Sequence, residues 1–229
     1  GGLNRNFKNK KKMYDSQYKG LKNIASFFLK QNIIKFIQVG SSLEYGSFSG
    51  ISFENYTAKN PMTIYGRAKL YCTNYLIFLY KVYNFPVVIL RLYQVYGPLQ
   101  KKNRIIPYII DAASHGKKIY TTKGDQYRDF CFIDDTIEAI LKCFNSKKAI
   151  GEIINIGYGK GIKIKNILSK ILRFFPKYKK KSKVKKIISN DNQTKKLVPS
   201  IKKAKKILNW SPKTNLEKGI IKTISSFKK

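Results

Sequence analysis

Tyr65 and Lys69, in the run Tyr65-Gly66-Arg67-Ala68-Lys69, are the first residues whose types and spacing suggest chemistry. On a helix, positions i and i+4 share one face. An ammonium beside a phenol favours the phenolate and lowers a pKa that is ordinarily about 10. A phenol tuned in this way works as an acid or a base near neutral pH. By itself the pair carries little, because 16 tyrosines and a large lysine excess produce such pairs on ordinary surface helices. It gains weight from Ser41-Ser42-Leu43-Glu44-Tyr45-Gly46, whose first serine lies 24 residues before Tyr65.

These groups need elements that bring them together. Helical spacing of Tyr18, Leu21, Ile24, Ala25, Phe28 and Leu29 predicts a helix over 16–30. Ile33 to Val39, ending at Gly40, reads as a short apolar strand. Residues 65–83 read as a second helix, and Pro86 to Leu92 as a second apolar strand. Strands apolar on both faces and separated by helices indicate a parallel sheet covered on each side. Ligands of such sheets sit beyond the C-terminal strand ends, so chemistry is expected just after Val39 and just after Leu92.

Beyond residue 98 the pattern is mixed. Asp134-Asp135 is read as the cap of a helix with Ile137, Ile140, Leu141 and Phe144 on one face. Glu152 to Ile156 reads as a strand. A helix with Ile164, Ile167, Leu168, Ile171 and Leu172 inward follows it. The lysine run from Pro176 to Lys186 reads as a solvated loop. A last small helix, capped by Ser200, presents Ile201, Ala204 and Leu208 before Trp210.

The chain has 229 residues, 43% hydrophobic and 14% aromatic, enough for a sizeable core and too apolar for wholesale disorder. Its formal charge is +35, with only Arg5, Arg67, Arg91, Arg104, Arg128 and Arg173 among 47 basic residues. Readers of phosphate and nucleic acid use arginine forks as well as lysine. The excess here is nearly all lysine, beside abundant Ile, Asn, Tyr and Phe. An AT-biased coding composition explains it at least as well as function does. Three scattered cysteines match no disulfide framework or zinc spacing and fit a reduced, cytoplasmic setting. A single histidine excludes two-histidine metal sites, and no metal is expected. No apolar run reaches the roughly 18–20 residues of a transmembrane segment.

Five segments in order resemble the extended short-chain dehydrogenase/reductase family, the NAD-dependent nucleotide-sugar epimerases, dehydratases and reductases. They are Ser41 to Gly46 with Tyr65 and Lys69; Arg91-Leu92-Tyr93-Gln94-Val95-Tyr96-Gly97-Pro98; Gly124 to Phe130 with Asp134-Asp135; Asn155 to Gly161; and Leu208 to Pro212. The resemblance implies that Ser41 orients the substrate, Tyr65 is the acid/base, and Lys69 holds the nicotinamide ribose and tunes Tyr65. It implies cofactor contacts from Gly2, Tyr65, Lys69 and Tyr93, and substrate contacts from Ser41, Ser42, Gln94, Arg104 and Arg128. Arg128 would pair a nucleotide phosphate, for which a guanidinium fork is suited. Its alternative is an ion pair with Asp125, Asp129 or Asp134, and buried structural pairing is an equal reading of Arg91.

Departures from the family pattern shape the expected reaction. Its 4,6-dehydratases carry an Asp-Glu or Ser-Glu pair directly after the catalytic hydroxyl, where this chain has Ser42 and Leu43, with Glu44 one residue late. Leucine moves no proton, which disfavours dehydration. Gln17 and Gln94 stand where the family has asparagines, and Asn190 stands near a usual phosphate-binding arginine. No Gly-x-x-Gly-x-x-Gly turn is present to seat the cofactor pyrophosphate. Gly1-Gly2 resemble the end of the family's fourth strand, so on the order of 60–75 residues of a dinucleotide-binding half are expected to be missing.

The expected fold is α/β: a partial Rossmann-type doubly wound parallel sheet lacking its N-terminal strands, with a smaller mixed α/β substrate lobe. Residues 1–98 are expected to be the remaining dinucleotide-binding portion and 99–229 mainly the nucleotide-sugar lobe. The expected function is NAD- or NADP-dependent 4-epimerisation of a nucleotide-activated sugar for surface polysaccharide, with a homodimer implied by family analogy. The alternatives are a 4-keto-6-deoxysugar reductase, an inactive truncated remnant, or a basic polyanion-binding module. The last rests on 23 basic and 2 acidic residues from 160 onward, without a specific nucleic-acid-reading motif.

Overall fold

The computed structural model describes residues 10–56, 61–178, 184–186 and 194–227. The described residues begin with α1 (Lys10–Tyr14), a π turn (Asp15–Lys19) and α2 (Gly20–Leu29), one helical run that buries Leu21 and Ala25. Ile24, part of the same helical spacing, is 52% exposed. Strand β1 (Phe36–Ser41) follows, then a 3₁₀ turn (Ser42–Tyr45) and β2 (Gly50–Ser52). Helix α3 (Ile64–Tyr83) begins at Thr63, whose hydroxyl accepts the Gly66 N–H at 2.9 Å, and ends at Asn84 in the left-handed conformation.

Strand β3 (Val87–Leu92) pairs in parallel with β1, Phe36 opposite Val87 through Ser41 opposite Leu92. Strand β7 (Ile153–Ile156) adds to its other side, also in parallel. Val87 and Ile89 pack under α2 and α3 with Leu76 and Leu79. Val88 and Leu90 face the opposite layer, with Cys131, Ala139, Ile154 and Trp210. A central strand buried on both faces is what the unbroken apolar run of Val87–Leu90 calls for. This is the helix-covered parallel sheet expected from sequence.

The remaining elements make a second layered unit. Strands β2, β10 (Lys196–Pro199), β6 (Tyr127–Phe132) and β4 (Gln94–Tyr96) run parallel in that order, and β8 (Gly161–Lys163) lies antiparallel to β6. Its core brings α4 (Ile105–Ser114), α6 (Ile164–Leu172) and α8 (Leu216–Ser225) onto Phe130 and Phe132. All five inward residues predicted for α6 are buried. Within the expected lysine loop, Val184–Lys186 instead forms β9, paired with β5 (Ile119–Thr121), while residues 179–183 lie outside the described residues. Helix α7 (Lys202–Leu208) starts after Ile201, so Ser200 does not cap it, and buries Ala204 and Leu208.

Helix α5 (Ile133–Asn145) corrects the cap expected from sequence and shows which of its faces packs. Its N-cap position is Phe132, with Asp134 and Asp135 in the first turn, where Asp135 accepts the N–H groups of Lys213 and Thr214. Its buried face is Asp135, Thr136, Ala139 and Cys143, whereas Ile137, Leu141 and Phe144 are exposed. Small residues let α5 approach the sheet closely and turn the larger stripe outward.

Candidate active site

A cavity of about 680 Å³ opens beyond the C-terminal ends of β1 and β3. Ser41, Ser42 and Leu43 line it from the turn after β1, Tyr93 and Gln94 from the chain after β3, and Tyr65 from the first turn of α3. Arg104, at the N-cap position of α4, lines it as well, with Asn103, Tyr108 and Tyr120. The structure therefore gathers Ser41, Ser42, Tyr65, Tyr93, Gln94 and Arg104 around one opening.

Two close approaches set the relation between Ser41 and Tyr65. A Cβ at Gly66 would lie 2.6 Å from the Leu43 carbonyl oxygen, so only glycine lets α3 meet the turn at this distance. The Ser41 hydroxyl accepts the Leu43 N–H at 3.2 Å, which fixes its lone pairs and leaves its proton for a ligand. Lys69 sits one helical turn beyond Tyr65, its Nζ 5.8 Å from the Tyr65 ring centroid and 2.8 Å from the Val39 carbonyl oxygen. It is 7% exposed, and the ammonium keeps further N–H donors beyond the one given to Val39.

Electrostatics at the phenol differ from the expectation that lysine would set its pKa. Burial pushes Tyr65 above its usual value, the Glu44 charge and Cys72 push the same way, and the Arg104 guanidinium opposes them. Burial also pulls the Lys69 ammonium below its usual value. In the protein alone the phenol is thus held protonated at neutral pH, and Arg104 is the cation that favours the phenolate.

The other sequence candidates lie elsewhere. Glu44 is fully buried behind the turn, and its carboxylate pairs with Arg91 at 2.9 Å, so Arg91 has a structural pairing. Arg128 is absent from the cavity lining, and its Nη1 donates to the Tyr127 and Thr194 carbonyl oxygens at 2.7 and 2.8 Å. Of its candidate acidic partners, Asp125 pairs with Lys165 and Asp134 with Lys222. Asp129 accepts the N–H groups of Tyr158 and Lys160. Tyr93, by contrast, lines the cavity, but its hydroxyl is bonded to Ser52, and burial raises its pKa. Gly2 and Asn190 lie outside the described residues. Sequence reading missed Asn103, Tyr108 and Tyr120, whose spacing carried no signal.

Residues 1–157 match the model of the family described as NAD dependent epimerase/dehydratase family. The chain is 30% identical over 199 residues to dTDP-D-glucose 4,6-dehydratase of Homo sapiens, covering 85% of this chain and 56% of that protein. It is 28% identical over 220 residues to UDP-glucuronate 4-epimerase of Thermodesulfobacterium geofontis, covering 92% of this chain and 64% of the relative. The chain therefore spans little more than half the length of the first of these relatives. The UDP-glucuronic acid 4-epimerase of Bacillus cereus, solved in complex with UDP-glucuronic acid and NAD, superposes with a TM-score of 0.88. It is 27% identical, with 99% of this chain and 70% of that one covered.

Proposed function

Because this chain belongs to the NAD dependent epimerase/dehydratase family, we propose that it contributes the catalytic and sugar-binding part of an NAD(P)-dependent 4-epimerase of a nucleotide-activated hexose. In this reading residues 1–98 carry the remaining dinucleotide-binding portion and 99–229 mainly the sugar lobe. The supporting observation is the shared cavity, lined by Ser41, Tyr65 and Arg104, with the Lys69 Nζ 5.8 Å from the centre of the Tyr65 ring.

The residues present fit the nicotinamide end of the cofactor. Lys69 is a nearly buried ammonium with donors to spare, placed between Tyr65 and the end of β1 to receive ribose hydroxyls. The pyrophosphate end has no glycine-rich turn among these 229 residues. The nicotinamide, when bound, takes the hydride from the sugar carbon and later returns it.

Ser41 and Tyr65 both bond the oxygen on that carbon. Tyr65, as phenolate, removes the hydroxyl proton while the hydride leaves. As phenol, it gives the proton back when hydride returns to the opposite face of the ketone. Arg104, which lines the same cavity, stabilises the phenolate stage. Leu43 lines the cavity where a dehydratase needs a carboxyl group, and the nearby acid, Glu44, is turned into the interior. Those placements support epimerisation over dehydration.

One observation favours a second reading, a 4-keto-6-deoxysugar reductase. A phenol held protonated is suited to donating a proton to a ketone oxygen. Nicotinamide bookkeeping separates the two: an epimerase turns over substrate with no net change in reduced nicotinamide, and a reductase consumes one per turnover. Dehydration, read as a 4-keto-6-deoxy product from a nucleotide hexose, would overturn both.

A further inference from the structure

Behind the cavity, one carboxylate joins β1 and α3, which carry its reactive groups, to β3. Glu44 Oε1 accepts the Ser41 backbone N–H at 2.7 Å. Its Oε2 accepts the Thr73 hydroxyl at 2.8 Å and the Arg91 Nε at 2.9 Å. Glu44 is completely buried, and Ser41, Thr73 and Arg91 are nearly so. Tyr65, Lys69 and Thr73 stand at i, i+4 and i+8 along α3, a single helix face. The face that presents the phenol and the ammonium is therefore fastened two turns further on to the carboxylate that holds the Ser41 backbone. Gly40 makes room for it, since a Cβ there would lie 2.7 Å from Glu44 Oε1.

Three donors converge on this group, and a carboxylate offers only acceptors. Glutamine has the same shape but would turn an N–H₂ toward one of those donors. A buried carboxylate with one guanidinium is weak evidence of added stability, because desolvation offsets most of the attraction. Precise placement is the better account of its presence.

We propose that Glu44 is a positioning residue, locking the Ser41 turn to the Tyr65–Lys69 face of α3 so that hydroxyl and phenol meet the same substrate oxygen. This rests on the proposed pairing of Ser41 with Tyr65 on one sugar oxygen. Glu44 touches no substrate, and its effect reaches the reaction through Ser41 and Tyr65.

The test compares Glu44→Gln and Thr73→Val with the unsubstituted protein, using the polypeptide that carries these residues as its gene encodes it. Steady-state kinetics with a nucleotide sugar and NAD are read together with carbon-13 NMR of the tyrosine ring and the Ser41 amide resonance. The groups facing Tyr65 are Glu44, Arg104, Cys72 and Lys69, and a Tyr65→Phe variant assigns its signal. Glu44→Gln is expected to lower kcat at least about 10-fold with KM within about 2-fold, since a misplaced reactive group costs about 10²-fold. It is also expected to lower the Tyr65 titration midpoint and move the Ser41 amide. Thr73→Val keeps every charge and serves if Glu44→Gln does not fold. It is expected to move the Ser41 amide and reduce kcat in the same direction. A folded variant with unchanged kcat and Ser41 amide, or one whose loss is entirely in KM, overturns the proposal. If the unsubstituted protein shows no turnover, the functional reading fails, and the Ser41 amide alone then decides the clamp.

Discussion

Gly66 rests against the Leu43 carbonyl oxygen with no room for a side chain, a Cβ there falling 2.6 Å from the oxygen. Through this contact the first turn of α3, which bears Tyr65, takes its height above the sheet from the turn that bears Ser41. Alanine at position 66 gains about 1 kcal/mol of helix propensity but forces apart two packed segments, typically a loss of about 1–3 kcal/mol. Gly66→Ala is therefore expected to lower the denaturation midpoint modestly and cut turnover far more, by about 10²-fold. Urea titration beside kinetics checks this, and equal turnover would show that the contact does not set the site.

Arg104 and Tyr65 line the same cavity, and among the described residues the Arg104 guanidinium is the cation that draws the phenol's pKa down. Arg104→Gln keeps hydrogen-bonding capacity and removes the charge. The Tyr65 midpoint is expected to rise, and the base-dependent rise of kcat with pH to move to higher pH with it. Ring carbon-13 titration and a pH–rate profile read the two effects, which should shift together.

Asp129 supplies a pH dependence of stability. It is fully buried, accepts the Tyr158 and Lys160 N–H groups, and is pushed up to about 7 by burial. Between its ordinary value of about 4 and that value, the unfolded chain has released this proton while the folded chain keeps it. The folded state then binds more protons, so this contribution weakens as pH rises through the window and levels off above it. Asp129→Asn is expected to be less stable at every pH, since an amide N–H₂ meets a backbone donor, but to lose the slope. Chemical denaturation at several pH values from 5 to 8 measures it.

Much of this architecture was legible because its signals are local. The apolar run Val87–Leu90 demanded a strand covered on both faces, and Tyr65 with Lys69 demanded one helix face. What periodicity cannot say is which face of a helix looks inward. In α5 the large residues Ile137, Leu141 and Phe144 share a stripe, yet the small stripe of Ala139 and Cys143 is the one that packs. The site shows the same limit. Glu44 was legible as an acid displaced from the dehydratase position, but its three partners come from β1, α3 and β3 and meet only in the fold. Likewise, residue type marked Arg128 for phosphate, while its Nη1 bonds two backbone carbonyl groups.

The most direct measurement follows the sugar itself by proton NMR. The polypeptide that carries these residues is incubated with NAD and UDP-glucose or UDP-glucuronic acid, in parallel with a Tyr65→Phe variant. The 4-epimer should accumulate to equilibrium without net reduced nicotinamide, and the variant should remain folded and form none. Epimer produced equally by the Tyr65→Phe protein, or none from the unsubstituted protein with either sugar, would contradict the assignment of this cavity to hydride chemistry at C4.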